Sequence, residues 1–392
     1  MTKIKPALAH LGNQALATVE PSAIRAVDQN ISSIPGIIKL TLGEPDFAVP
    51  AHIKQVTTAA ITDDWSHYAP SMGYMDLREE VAAYLNERFG AHYDAEEVIV
   101  TVGATESIAA ALRALFNPGD TLIVPTPTFP LYAAIGRMNG MNVVEVNTAP
   151  DFIMTPERLQ TVLAEHPDAK AMIVNYPGNP TGVTYTPDQI RALAAAVEQT
   201  DLLLLSDEIY AELTYDEEHV SLAQLLPEQT LLISGFSKSH AMTGYRVGYV
   251  AGPKALTDQV GKMHQYMVTT VASPMQRAAV EALKNGRHDP EEMRETYRTR
   301  RDLVLAGLKA AGFDAPTPGG AFYIFAKMPA QFGEDDVQFV YTLAKEAKVG
   351  LVPGSVFGPG GRGYVRLSYA ASTESLAECV RRIQAYVQRE LA

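Results

Sequence analysis

Lys238 and Arg246, eight positions apart within the stretch Ser234 to Gly248, pair a potential nucleophile with a potential phosphate grip. A lysine amine condenses with an aldehyde once burial or nearby positive charge lowers its pKa. An arginine stays charged at any working pH, and its planar fork takes a phosphate through two parallel hydrogen bonds. By itself the stretch has a plainer reading, because most lysines are solvated surface groups and its glycines and hydroxyls are ordinary loop composition. Other segments add to the chemistry. The apolar run Val98 to Val102 turns through Gly103-Ala104-Thr105-Glu106-Ser107 into an apolar helix, Ile108 to Leu115. That order aims free backbone N–H groups and the positive end of a helix dipole at an anion. Asp207 follows the run Leu202 to Leu205, and Arg366 lies in Gly363-Tyr364-Val365-Arg366-Leu367-Ser368-Tyr369-Ala370. The first is an ionisable group at a strand end, the second a fork suited to a carboxylate. A helix cap and an exposed edge-strand arginine explain the same two residues on local grounds.

The elements that must hold these groups follow from pattern. Short buried strands alternate with helical segments between about residues 97 and 250, which predicts an α/β fold with a mostly parallel sheet. A chain of 392 residues is long enough for two or three domains. Hydrophobic residues at 47% and charged residues at 20% are ordinary globular composition. A formal net charge of -13 repels nucleic acid and anionic membrane surfaces, so neither is an expected partner. Cys379 is the single cysteine, which excludes an intramolecular disulfide. The nine histidines lack the i, i+4 spacing of a zinc pair, so no metal site is expected. Without a secretion-signal run near Met1 or an apolar stretch of about 18 residues, a cytoplasmic location is the expectation. Charges dominate from about Pro290 to Leu308, which reads as a long, mostly solvated helix without chemistry.

In chain order, several segments carry a resemblance: Gly43-Glu44-Pro45-Asp46-Phe47, Tyr68 to Arg78 as Y-x4-G-x3-LR, Pro127 to Tyr132 as P-x4-Y, Pro177 to Gly182 as P-x-NPTG, Ser206 to Tyr210, Ser237 to Arg246, and Pro318 to Tyr323. From roughly Ile37 to Ala370 the chain resembles the class I/II aminotransferases, the fold-type I pyridoxal 5'-phosphate (PLP) enzymes. The resemblance implies that Lys238 condenses with the PLP aldehyde and then serves as general acid and base. It gives Asp207 the ring nitrogen, where a carboxylate keeps the pyridine protonated. Tyr210 and Asn179 fall on the phenolic oxygen, and Phe129 on the ring face. Gly103, Ala104, Thr105, Ser237 and Arg246 form the phosphate cup. Gly43, Asn179 and Arg366 belong to the substrate carboxylate, and the Asn179-Pro180 bond is expected cis. Tyr68 reaches the phosphate of a partner subunit, so the implied state is a homodimer with shared active sites. The implied division is residues 1–45 joining a small domain, 46–288 as the large PLP-binding domain and 289–392 completing the small one. For Gly43, Tyr68 and Phe129 a tight turn, a half-buried tyrosine and core packing remain the local alternatives.

Departures narrow the substrate. Gly235 stands where aspartate aminotransferases carry a phosphate-binding serine, so that contact passes to Ser237 or is absent. Thr105 stands where some bacterial aspartate-specific relatives use lysine, which makes a dedicated aspartate enzyme the weaker expectation. The wording of Ser237 to Arg246 and of Leu367 to Ser372 resembles bacterial aromatic and N-acetyl-diaminopimelate aminotransferases. The expected reaction is therefore ping-pong transfer of an amino group from an aromatic or large apolar L-amino acid to a 2-oxo acid such as 2-oxoglutarate. N-acetyl-diaminopimelate is the rival donor, and a PLP-dependent carbon–sulfur lyase is the rival chemistry on the same scaffold. A transcription-regulator effector domain is disfavoured, because only about 36 residues precede the core and they contain no basic recognition helix.

Overall fold

In the computed structural model, which describes residues 2–391, the predicted alternation becomes one large sheet. Its strands are β2 (Val98–Thr101), β3 (Thr121–Thr126), β4 (Asn142–Asn147), β5 (Ala169–Asn175), β6 (Leu203–Asp207), β7 (Thr230–Gly235) and β8 (Gly248–Ala251), preceded in the chain by the short β1 (Ile38–Lys39). The spatial order is β2-β8-β7-β6-β5-β3-β4, with β8 antiparallel to both neighbours and the other pairings parallel. Parallel strands are covered on both faces, so their residues run apolar without alternation. Leu204, Leu205, Leu231, Ile233 and Val250 are all fully buried.

The sheet direction decides where chemistry can sit. In open α/β sheets, ligands bind in the crevice beyond the carboxyl ends of the parallel strands. The chain leaves β2 at Gly103, β3 before Phe129, β5 at Asn175, β6 at Asp207 and β7 just before Lys238. These loops meet at one edge of the sheet.

A second core is built from both ends of the chain. β9 (Tyr323–Lys327), β11 (Val352–Pro353) and β12 (Tyr364–Ser368) form an antiparallel sheet in the order β11-β12-β9, while β1 pairs in parallel with β10 (Val349–Gly350). Val27 and Leu40 pack into the same apolar cluster as Phe322, Leu343, Val365 and Ile383. The helix Asp289–Ala310 corrects one expectation. It is long, but one face is buried through Met293, Tyr297, Val304 and Leu308. Arg300 is also buried, and both oxygens of Asp46 accept from its Nη1 at 2.9 Å, which ties the helix to the Gly43–Phe47 turn. Tyr297 adds packing at the same place, its ring meeting that of Phe47 edge-on at 5.5 Å.

Leu205 lies mid-strand in the large sheet with no exposure. Leu205→Ala is expected to destabilise the fold by about 2–5 kcal/mol through lost transfer energy and a residual cavity, read as a lower urea midpoint at constant m-value.

Candidate active site

The loops beyond the strand ends, together with Gly43, Tyr323 and Arg366 from the second core, enclose a cavity of about 560 Å³. Lys238 projects into it from the short helix Phe236–Ser239, immediately after β7. Its Nζ donates to the Gly43 carbonyl at 2.6 Å and lies 5.7 Å from the Tyr210 ring and 5.6 Å from the Phe322 ring. Burial brings the amine down to about 8; Glu44 opposes this, while Arg246 and Arg366 reinforce it. A lysine in such surroundings carries a usable neutral fraction near neutral pH.

Asp207 is buried at the end of β6. The Tyr132 hydroxyl donates to one oxygen at 2.7 Å and the Ile209 amide to the other at 3.2 Å. Burial still pushes the carboxyl up to about 6. Tyr210 and Tyr323 share a hydroxyl hydrogen bond of 2.9 Å, and burial raises both phenols.

Arg366 is only 1% exposed. Its Nη1 donates to Asn179 Oδ1 at 3.0 Å and its Nη2 to the Thr41 carbonyl, while its Nε is buried with no partner among the described residues. Asn179 is positioned in turn by Asn175, whose Oδ1 accepts from the Asn179 amide at 3.0 Å and whose Nδ2 donates to the Asp207 carbonyl at 2.9 Å. The Asn179-Pro180 bond is cis, as expected.

At the opposite end, Gly103 caps the helix Ala104–Leu115 with φ 75°, and Ala104, Thr105 and Ser237 line the cavity. Arg246 donates to the Thr243 carbonyl at 2.8 Å. A Cβ on Gly103 would lie 2.7 Å from Arg246 Nη2, so glycine here lets the guanidinium close over the helix terminus. Gly235 also has a physical reason. A Cβ there would sit 2.7 Å from the Gly248 Cα and 2.9 Å from the Val247 carbonyl, leaving no room for a serine without a backbone shift. Phe129 is half-buried on the cavity wall.

Lys238, Asp207, Tyr210, Asn179, Arg366, Gly43, Ala104, Thr105, Ser237, Arg246 and Phe129 thus share one cavity. Gly103 lies directly beneath Arg246. Tyr68 is the exception. It is 87% exposed and does not line the cavity. Among the cavity-lining residues not singled out from the sequence, Tyr132, Asn175 and Tyr323 make hydrogen bonds to other residues of the site. Tyr132 closes the P-x4-Y pattern and Tyr323 follows Phe322 after Gly319-Gly320, so the patterns contained them, but their hydrogen-bond partners are 75 and 113 residues away in the chain.

An amine with lowered pKa, a buried carboxylate and an anion cup around one cavity are the equipment of a PLP enzyme of fold type I. The sequence model described as "Aminotransferase class I and II" matches residues 35–383. A probable N-acetyl-LL-diaminopimelate aminotransferase of Bacillus subtilis is 40% identical over 383 residues, covering 97% of each chain. The aromatic-amino-acid aminotransferase 2 of Thermococcus litoralis is 36% identical, covering 94% of this chain and 96% of its own. The aspartate aminotransferase of Thermus thermophilus, solved with maleate, superposes with a TM-score of 0.91 at 37% identity, covering 96% of this chain and 99% of its own. The chain belongs to the class I and II aminotransferase family and is a PLP-dependent enzyme. Its residues fit that cofactor: the glycine-based anion cup suits a phosphate, Asp207 a ring cation, and Lys238 an aldehyde. No helix among the described residues is long and apolar enough to cross a membrane.

The Asp207 pKa gives a test of the apoprotein. Its folded value of about 6 lies above the free value of 3.8, so folding favours the protonated form. The resulting penalty is absent below about pH 4, grows as pH rises towards 6 and is complete above it. Asp207→Asn apoprotein is expected to melt above the parent at pH 7.5, with the gap closing at pH 4. A gap independent of pH would assign the gain to packing.

Proposed function

We propose that the enzyme moves the amino group of an aromatic or large apolar L-amino acid to 2-oxoglutarate in two half-reactions. The observation that carries this reading is the convergence of Lys238, Asp207 and Arg366 on one cavity. Bound PLP supplies an aldehyde to capture the amino group and an electron-poor ring to take up the electrons of the breaking Cα–H bond. Arg366, with Nε unpartnered among the described residues and Nη1 on Asn179, would hold the substrate carboxylate and so orient the substrate. Lys238 would carry the proton from the substrate Cα to the carbon that the PLP aldehyde supplies, before hydrolysis frees the oxo acid. Asp207, oriented by Tyr132, keeps the ring nitrogen protonated, and that pairing draws its own pKa down from about 6. Tyr210 and Asn179 would donate to the phenolic oxygen, Phe129 would flank the ring, and Gly103, Ala104, Thr105, Ser237 and Arg246 would receive the phosphate. The dicarboxylate maleate in the Thermus aspartate aminotransferase supports a dicarboxylic acceptor. The Bacillus relative supports a second reading, in which N-acetyl-LL-diaminopimelate is the amino donor.

We further propose that residues 1–45 and 289–392 act as one small domain beside residues 46–288, and that the working form is a cytoplasmic homodimer. Tyr68, Tyr266 and Met267 are large and exposed, and Thr270 donates to the Pro70 carbonyl at 3.1 Å, which brings their two segments together. In the dimer Tyr68 reaches the partner's phosphate. Tyr68→Phe is expected to remain a dimer in sedimentation while retaining PLP about tenfold less tightly, the scale of one charge-assisted hydrogen bond. A monomeric parent protein would defeat this.

Lys238→Ala is expected to lose more than about a thousandfold in turnover of L-phenylalanine with 2-oxoglutarate, because both proton transfers lose their base. Glutamate formation without ammonia release separates transamination from the lyase chemistry. Screening donors for conversion of the enzyme to the pyridoxamine form ranks phenylalanine against N-acetyl-LL-diaminopimelate.

A further inference from the structure

Lys238 stands on a single helical turn, Phe236–Ser239, and a turn this short cannot hold a side chain in place by its own hydrogen bonds. What anchors it lies on the other face. Residues two positions before and after Lys238 lie roughly 200° around the helix axis from it. These are Phe236 and His240, each 2% exposed, with ring centroids 6.0 Å apart. The His240 amide closes the turn by donating to the Phe236 carbonyl at 3.2 Å.

The His240 ring is bonded in a fixed sense. The Gly286 carbonyl can only accept, so Nε2 bears the hydrogen and donates to it at 3.0 Å; Nδ1 is then an acceptor and takes the Ser239 hydroxyl at 2.8 Å. Burial lowers the imidazole pKa, with the Gly286 carbonyl opposing, and the ring stays in that neutral form. Gly286 is itself closely held between the helices Ser273–Lys284 and Asp289–Ala310. Its carbonyl also accepts from the Asp289 amide at 3.0 Å, and a Cβ on it would lie 2.5 Å from Asp289 Oδ2 and 2.8 Å from the Ala282 carbonyl. His52 bridges the two helices through Glu281 at 2.7 Å and Asp289 at 2.9 Å.

We propose that His240 is a positioning residue for Lys238: by tying the turn to the Gly286 carbonyl, 46 residues further on, it sets how deep the amine lies in the cavity. The role rests on the PLP-capturing Lys238 of the proposed function and extends it to a residue that does not line the cavity. Depth matters because burial is the first cause that brings the Lys238 amine down to about 8. With the tie cut, the turn is free to rotate, water reaches Nζ, and the pKa rises towards its ordinary value of 10.5. Only the neutral amine attacks an aldehyde, so PLP capture slows near neutral pH.

The test follows PLP capture by apoprotein in stopped-flow absorbance as a function of pH. His240→Phe keeps a ring against Phe236 and removes both side-chain hydrogen bonds. His240→Gln places an amide N–H near the Nε2 position and keeps the tie to Gly286, whereas His240→Asn places its amide near Nδ1 and keeps only the Ser239 contact. The capture midpoint is expected to move up by about one pH unit in His240→Phe and His240→Asn, with roughly tenfold slower capture near neutral pH, and to return to the parental value in His240→Gln. Urea midpoints of the same proteins report stability separately. A parental capture midpoint in His240→Phe, even with lowered stability, overturns the role, as does an equal shift in the Gln and Asn variants. If His240→Phe does not fold, the contrast between Gln and Asn decides alone. Lys238→Ala in the same assay separates the two readings. Parental capture by Lys238→Ala defeats the Lys238 assignment, while lost capture there beside an unchanged His240→Phe counts against His240 only.

Discussion

Burying one carboxylate at the end of a strand is the constraint on which the cavity depends. Among the described residues Asp207 has no cation within hydrogen-bond reach; a phenol and an amide are its donors. Two neutral hydrogen bonds do not replace the hydration of an ion, which is why its pKa rises to about 6. A site that tolerates this is arranged for a cation that arrives with the ligand. The hydroxyl of Tyr132 fixes the direction in which the carboxylate faces, and Asn175 fastens its backbone to the loop that carries Asn179. Asp207 and Asn179 are thereby held in one frame.

Lys238 shows the same principle with the opposite sign. Its amine is desolvated, and the Gly43 carbonyl is its single hydrogen-bond partner. A carbonyl dipole satisfies one of three ammonium protons, so the charged form is under-compensated and the neutral amine gains. Arg246 and Arg366 push the same way. The two arginines keep their charge because guanidinium is intrinsically far more basic than ammonium and more weakly hydrated. One set of positive charges therefore lowers the Lys238 pKa and, in the proposed reaction, would receive two anions.

The sequence made the residues of this cavity legible where function compresses them into short strings. Lys238 with Arg246, and Asn179 between two prolines and two glycines, stand out because a rigid backbone must present them. The parallel sheet was equally legible, since strands buried on both faces read as apolar runs such as Leu202 to Leu205. Tyr132, Asn175 and Tyr323 were not, because each acts through a partner that only the fold brings near. The charged helix Asp289–Ala310 misled for a related reason. Its composition is polar, yet Arg300 and Arg301 spend their charge on Asp46 and Asp216 at the seam between the two cores. Tyr68 is exposed, and its side chain makes no hydrogen bond among the described residues that would reveal a role.

Arg366 explains why the substrate end of the cavity requires both cores. A cation 1% exposed needs compensation on every side. The second core supplies two aromatic faces, Tyr323 at 4.7 Å and Phe357 at 5.1 Å, and the Thr41 carbonyl. The large sheet supplies Asn179. What remains is Nε, which no described residue satisfies. Aromatic faces stabilise a guanidinium without occupying its N–H donors, so the fork stays available in its plane for a carboxylate. An ammonium in the same place would have neither the planar donor set nor the tolerance for burial. Under the proposed reaction the substrate would bind where a charge is already held, and its own carboxylate would complete the set of partners.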